Sequence, residues 1–423
     1  MRRLGAIVVA LACAASMWGT GVAAADPTPG PGVTLTEMGY WSGTSDDQMT
    51  VDVGGTAYAS IGVGRASYRV RPAGGSWGAP RELPGALPNT GVHLTAVKIG
   101  TAVAAYDGPN GYGQRYIAAH VRRPNGTWTT PYRLTSKTTD TLFGLQTLSN
   151  VDGDHAVVWT ERPISGTSRP QVKVGILLRG DRWRVYSVGP GERFQAGMDG
   201  SGAVYVARLY TPAGGLPTII QRTKRPGKAM SAARSFGVVP EMSWHYLVET
   251  TGRQTMVLND DTDARILRQE TLGGPFVQVW KKDGVSVDAA VGGARLRVVW
   301  RDQDPGQAPT PSPAWTQVVR PQTQAPEALA AASAVDVAMD KLGIGVVIYS
   351  DGSNVVGRTF DAAGLTNPRP IVTDTDASVR WVGRSGNGHL LSVLVCSNCG
   401  LPPQEGGGPP DDFWLYAAEL PPY

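Results

Sequence analysis

The chain is poor in charge: 39 basic and 35 acidic residues leave only 17% of 423 positions charged. Coiled coils and long helical bundles draw on far more Glu and Lys, so both are excluded. Basic residues never gather into a run that could follow a phosphate backbone, which argues against nucleic acid as a partner. After the N-terminal segment, no apolar stretch approaches the ~18 residues of a membrane span. Glycine is abundant at 54 residues but lacks the every-third-position period of collagen. A hydrophobic share of 41% excludes a disordered chain. What is present is Gly, 32 Pro and short β-forming runs, the composition of a turn-rich, all-β protein.

Residues 1–25 read as a signal peptide. Arg2 and Arg3 form a positive start, Ala6 to Trp18 an uncharged apolar run, and Ala23-Ala24-Ala25 a small-residue cleavage site before Asp26. Arg2-Arg3 also permits a twin-arginine reading, although the flanking residues of that signal are missing. Cys13 permits a lipid-anchor reading, but it lies inside the apolar run. The mature chain is expected to be secreted and monomeric, with formal charge falling from +4 to +2 on loss of Arg2 and Arg3. Residues 26–32 read as a short linker and 33–423 as the folded domain. The two remaining cysteines, Cys396 and Cys399, are expected to close a local disulfide in an exported protein. A zinc site would need a second Cys pair or a His pair, and a thioredoxin-type dithiol would need a helix after it.

The most informative feature is a repeat. A short strand, a tight Gly-containing turn and a strongly apolar strand recur eight times. The first strands begin near residues 49, 93, 145, 195, 245, 287, 335 and 379, so the period averages about 47 residues. All-β repeats of this length indicate a β-propeller. Asp-Gly, Gly-Gly and Asn-Gly pairs supply the positive φ of the two-strand turns. A third, more polar strand follows each hairpin, as in Gln171 to Leu178, and a fourth often follows a second Gly turn. The expectation is eight blades, with seven as the alternative because the fifth and sixth units are weak. The eighth unit has three strands, while Val33 to Tyr40 is a spare strand ahead of the first hairpin. That N-terminal strand is expected to complete the last blade.

Strand order puts the loops between second and third strands on the same rim as the links between blades. Several second strands end there in an aromatic and an acid: Tyr106-Asp107, Trp159-Thr160-Glu161, Trp300-Arg301-Asp302 and Tyr349-Ser350-Asp351, with Asp260 in the fifth. A ring of such residues suits a glycan or a cation; for a glycan, aromatic faces pack on sugar C–H surfaces and carboxylates accept hydroxyl hydrogen bonds. The competing reading makes the aromatics wedges between blades and the acids solvated turn residues. For catalysis, Glu161 with Asp302 or Asp351 is the carboxylate pair to consider. No metal site is expected from the five isolated histidines, although Asn150-Val-Asp152-Gly-Asp154 could be a calcium loop or an ordinary turn. Gly74-Gly75-Ser76-Trp77-Gly78 matches a nucleophile-elbow pattern but falls in a hairpin rather than a strand-to-helix turn.

The apolar strands ending in Val-Trp and the turn Arg123-Pro-Asn-Gly-Thr-Trp-Thr-Thr-Pro131 give the chain its family look. It resembles secreted bacterial β-propellers loosely related to sialidases. The resemblance implies the fold over nearly the whole mature chain. The sialidase turn, Ser-x-Asp-x-Gly-x-x-Trp, lacks its Ser and Asp here, so the activity does not follow. The function expected is a non-catalytic propeller binding an extracellular glycan or protein. The alternative is a glycoside hydrolase or lyase with carboxylates at the channel mouth.

Overall fold

In a computed structural model, the described residues are 28–31, 33–40, 49–61, 66–85, 92–109, 115–135, 139–163, 169–178, 181–238, 243–259, 263–292, 294–302, 312–332, 334–339, 343–350, 354–361, 363–373, 378–384, 391–397 and 414–420. Their strands form eight antiparallel sheets, seven of four strands and one of five. In each of the first seven repeats, the four strands follow chain order from the inside outward, as in Thr139–Ser149, His155–Pro163, Gln171–Leu178 and Arg182–Pro190 of the third. The first strands adjoin one another in sequence, and Ser378–Arg384 of the eighth meets Met49–Val51 of the first. The ring is therefore closed, and the chain is a β-propeller. The weak fifth and sixth repeats are complete sheets.

Closure uses the N-terminal strand. Thr34–Tyr40 pairs antiparallel with Trp414–Leu420 and stands outermost in the eighth blade. The segment read as a linker also contributes: Thr28–Pro29 pairs with Thr373 and Val372 as a fifth strand on the seventh blade.

The core lies between blades rather than inside any one of them. Leu148, Val158 and Val174 of blade three pack on Ala196, Val204 and Val206 of blade four, and similar clusters join the next pairs. Second strands are buried nearly throughout, as in Gly345–Ser350, because a blade covers each of their faces. Third strands alternate, as in Thr218–Lys224. First strands alternate as well, in Ser243–Val248 for example.

The hairpin turns share one device. Asp52 Oδ1 accepts the Gly54 and Thr56 amides at 2.8 and 3.0 Å, and Asp199 Oδ1 accepts those of Ser201 and Ala203 at 2.8 and 3.0 Å. Three residues after each acid a glycine takes positive φ: 86° at Gly55 and 78° at Gly202. Asn150 does the same, accepting the Asp152 and Asp154 amides at 3.1 and 2.9 Å. Its amide donates to Asp154 Oδ2 at 2.9 Å, and Lys98 Nζ sits 2.9 Å from the Asp152 carbonyl. The loop that could have been a calcium site is built as a turn, with an ammonium beside it.

Candidate functional site at the channel mouth

The free edges of the first strands carry N–H and C=O groups that need partners. Polar side chains from the preceding blade supply them. Thr50 Oγ1 donates to the Ala96 carbonyl at 3.0 Å and accepts its amide at 3.1 Å. Thr95 Oγ1 donates to the Thr147 carbonyl at 3.0 Å. Gln146 spans the Ala196 carbonyl and amide at 2.9 and 3.0 Å. Gln195 spans the Trp244 carbonyl and Tyr246 amide at 2.5 and 2.6 Å, bracketing His245. Asn259, on a second strand, does the same for Val287 at 3.0 and 2.9 Å. These bonds form a polar girdle around the channel.

In blades six and seven the girdle position holds acids. Asp288 and Asp336 are hydrogen-bonded side chain to side chain, and Asp288 also accepts from the Val337 and Ala289 amides. Asp336 accepts the Val337 amide at 2.6 Å. Burial raises both carboxyls above the usual range, and for Asp336 the neighbouring Asp288 adds to the rise. His245 of blade five is lowered by burial, with Asp336 acting the other way. Sequence reasoning missed this pair. The available signal was an aspartate in the middle of each of two otherwise apolar inner strands, Val285–Gly292 and Ala334–Met339.

On the rim face, the mouth opens between blades three and four into a cavity of about 740 Å³. Arg162, Arg193 and Glu192 stand in its wall, with Leu145 and Phe194, and Gln146 and Gln195 belong to both cavity and girdle. The cavity lies on the face where the sequence placed the site, but its residues come mainly from first strands rather than from the ends of second strands.

The aromatics expected on that rim are packed inside. Trp159 and Tyr106 are 0% exposed, Trp300 2% and Tyr349 3%. They cannot present a face to a sugar, and the wedge reading holds for all four. Trp159 packs between blades two and three, and its indole N–H donates to Glu161 Oε2 at 2.9 Å. Glu161 also has Lys173 at 3.6 Å. Asp302 accepts the Trp315 indole at 3.1 Å and has Lys282 at 3.3 Å. Tyr106 donates to the Gly85 carbonyl at 3.2 Å and stacks on His120 with ring centres 5.6 Å apart. Burial pushes its phenol up to about 12. Asp107 is half-buried at the end of its strand. The proposed carboxylates are thus engaged locally, Glu161 in blade three and Asp302 in blade six. Asp260, Asp351 and Cys399 lie outside the described residues, as does the side chain of Cys396.

Among the described residues no group of three or more His, Cys, Asp or Glu could hold a metal ion. Nor is any described helix long and apolar enough to cross a membrane.

No family model and no curated protein matches the chain. Solved structures that are similar include the Dos1 propeller, at 10% identity and TM-score 0.55 over 94% of this chain and 96% of that one. The β-propeller domain of the trilobed protease from Pyrococcus furiosus is similar at 7% identity and TM-score 0.47, over 78% and 95%. A lectin from Aleuria aurantia, in complex with a fucosylated sugar, is similar at 14% identity and TM-score 0.36, over 67% and 95%. These likenesses concern the fold.

Proposed function

We propose that this protein is a secreted, non-catalytic propeller that binds an acidic extracellular glycan at the mouth of its channel. The observation that carries this reading is the cavity of about 740 Å³ between blades three and four, where Arg162 and Arg193 outnumber the single acid Glu192 and stand beside Phe194 and Leu145. Two guanidinium groups suit the carboxylates or sulfates of an acidic sugar, and an apolar wall suits its ring. The signal-like residues 1–25 are removed on export in this reading.

Catalysis by paired carboxylates is less well supported. Glycoside hydrolysis needs two acids separated by about 5–10 Å so that the sugar and water fit between them. Asp288 and Asp336 bond directly to each other, and Glu161 and Asp302 each serve a tryptophan indole. Incubation of the mature chain from Asp26 with a mixed library of acidic and neutral glycans, followed by mass spectrometry, tests the reading. Intact acidic glycans should be retained, and Arg193→Glu should abolish retention without lowering Tm. Retention undiminished in Arg193→Glu would reject the site, and new fragments would make the protein an enzyme.

A further inference from the structure

On the opposite face, a second cavity of about 540 Å³ opens between blades six and seven. Its wall contains Arg297, whose side chain is only 2% exposed. A buried guanidinium ordinarily needs a close counter-charge and a full set of acceptors. Arg297 has little of either. Its Nη1 donates to Thr316 Oγ1 at 3.2 Å, and its Nε is buried with no hydrogen-bond partner. The nearest carboxylate, Glu327, stays 3.9 Å away with its side chain 40% exposed, beyond hydrogen-bond range. Burial disfavours the Arg297 charge most, Glu327 opposes that in part, and Arg295, which also lines the cavity, adds to burial with Arg358.

We propose that this cavity binds a small organic monocarboxylate, recognised by Arg297. Orientation favours a planar acid. The guanidinium carbon lies 4.3 Å from the centre of the Phe360 ring, so one face is covered and the N–H edge is left for in-plane, two-point bonding. The walls favour an apolar body, since Leu296, Val318 and Leu365 line the same space. Glu327 and Asp361 are also present there, and they disfavour a more highly charged anion such as phosphate. The position of Glu327 gives a sharp consequence. It competes with an incoming carboxylate for Arg297 and does not help to bind it.

Calorimetric titration of the whole mature chain with benzoate, at fixed ionic strength, tests this. Benzamide and inorganic phosphate serve as the comparison probes. Benzoate is expected to bind with one-to-one stoichiometry, and benzamide and phosphate to bind at least roughly tenfold more weakly. Arg297→Lys keeps the charge but loses the planar fork, and it should weaken benzoate roughly tenfold. Glu327→Gln should strengthen it several-fold, a change opposite to the one expected if Glu327 merely completed the pocket. No heat from benzoate with the wild-type chain, equal binding by Arg297→Lys, phosphate binding as tight as benzoate, or weaker binding by Glu327→Gln would each overturn the proposal.

Discussion

Asp288 and Asp336 share a hydrogen bond between their carboxyl groups across the seam of blades six and seven. Such a bond requires a proton on one partner, because two carboxylates can only accept. Elsewhere in the girdle, Gln146 and Gln195 both donate and accept, so they satisfy the next strand at any pH. The acids accept the Val337 and Ala289 amides in either state, but the bond between them exists only while the pair holds a proton. Both carboxyls are raised, so the folded state binds protons more tightly than the unfolded chain. The stability this provides is complete below the ordinary Asp value of about 4 and is lost as pH rises through the folded value. Asp336 is pushed up to about 8, which places the loss between pH 4 and 8. Between pH 4 and 6.5 the buried His155 acts in the opposite sense, so the unfolding free energy should fall clearly from about pH 6.5 to 8, at up to about 1.4 kcal/mol per pH unit for one retained proton, as read from urea melts. Asp336→Asn should flatten the slope. A slope unchanged by the substitution would mean that the pair is ionised throughout.

The acid limb should come from His155. It is 2% exposed at the start of the second strand of blade three, and burial lowers its imidazole to about 4, with Lys98 adding to the fall and Asp154 opposing it. A lowered value means that the unfolded chain binds the proton first. Stability is therefore whole above about pH 6.5 and is lost as pH drops toward 4, by about 3 kcal/mol when the ring is fully charged. His155→Gln should remove that part of the acid sensitivity. The check is the difference in unfolding free energy between wild type and variant at pH 7 and at pH 4.5, which should shrink at the lower pH.

Blade five departs from the turn device of its neighbours. Glu249 stands where Asp52 and Asp199 cap their own turns, and its longer side chain reaches Arg268 on the third strand instead. The two charges meet at 2.5 Å with exposures of 3% and 0%. Burial dominates both groups, raising Glu249 and lowering Arg268 despite their mutual attraction. A pair of that kind adds little net stability but is costly to break. Arg268→Met should destabilise the protein by about 3–5 kcal/mol, because the carboxylate is left buried alone. Adding Glu249→Leu should restore most of that loss, as read from denaturant melts of the single and double variants. A double variant no better than the single would show that the pair has a structural role beyond its charges.

Much of the architecture was legible in the sequence. The period, the apolar second strands and the spare strand before residue 41 follow from local physics: a strand covered on both faces must be apolar, and a Gly-rich turn must take positive φ. The site was less legible. Trp159 and Glu161 share one strand face, and the pattern does not reveal whether that face meets the channel or the next blade. In the fold Trp159 is core, and Glu161 lies beside it as its hydrogen-bond acceptor. Phe194 and Arg193 look ordinary in the sequence, an isolated aromatic and a basic residue at a strand start. They become a cavity wall only when blades three and four are brought side by side. The Asp288–Asp336 bond likewise joins residues 48 positions apart in sequence, and only the ring places them at one level.

The seal of the ring can be tested directly. Thr34–Tyr40 supplies the outermost strand of blade eight, and Thr28–Pro29 adds to the edge of blade seven. Both come from the N-terminal end of the chain, while the strands they join lie in the last two repeats, so they tie the two ends of the ring. Deleting residues 26–40 removes the register from Thr34–Glu419 to Tyr40–Trp414 and exposes the edge of Trp414–Leu420. With roughly 1 kcal/mol net for each lost backbone bond, Tm should fall by about 5–10 °C. The truncated chain should also self-associate through the bared strand, which sedimentation would detect. A synthetic peptide of residues 26–40 added in trans should raise Tm and suppress association together. If Tm is unchanged by the deletion, packing between blades holds the ring without the closing strand. If Tm falls and the peptide has no effect, the segment acts through the covalent connection and not through its pairing.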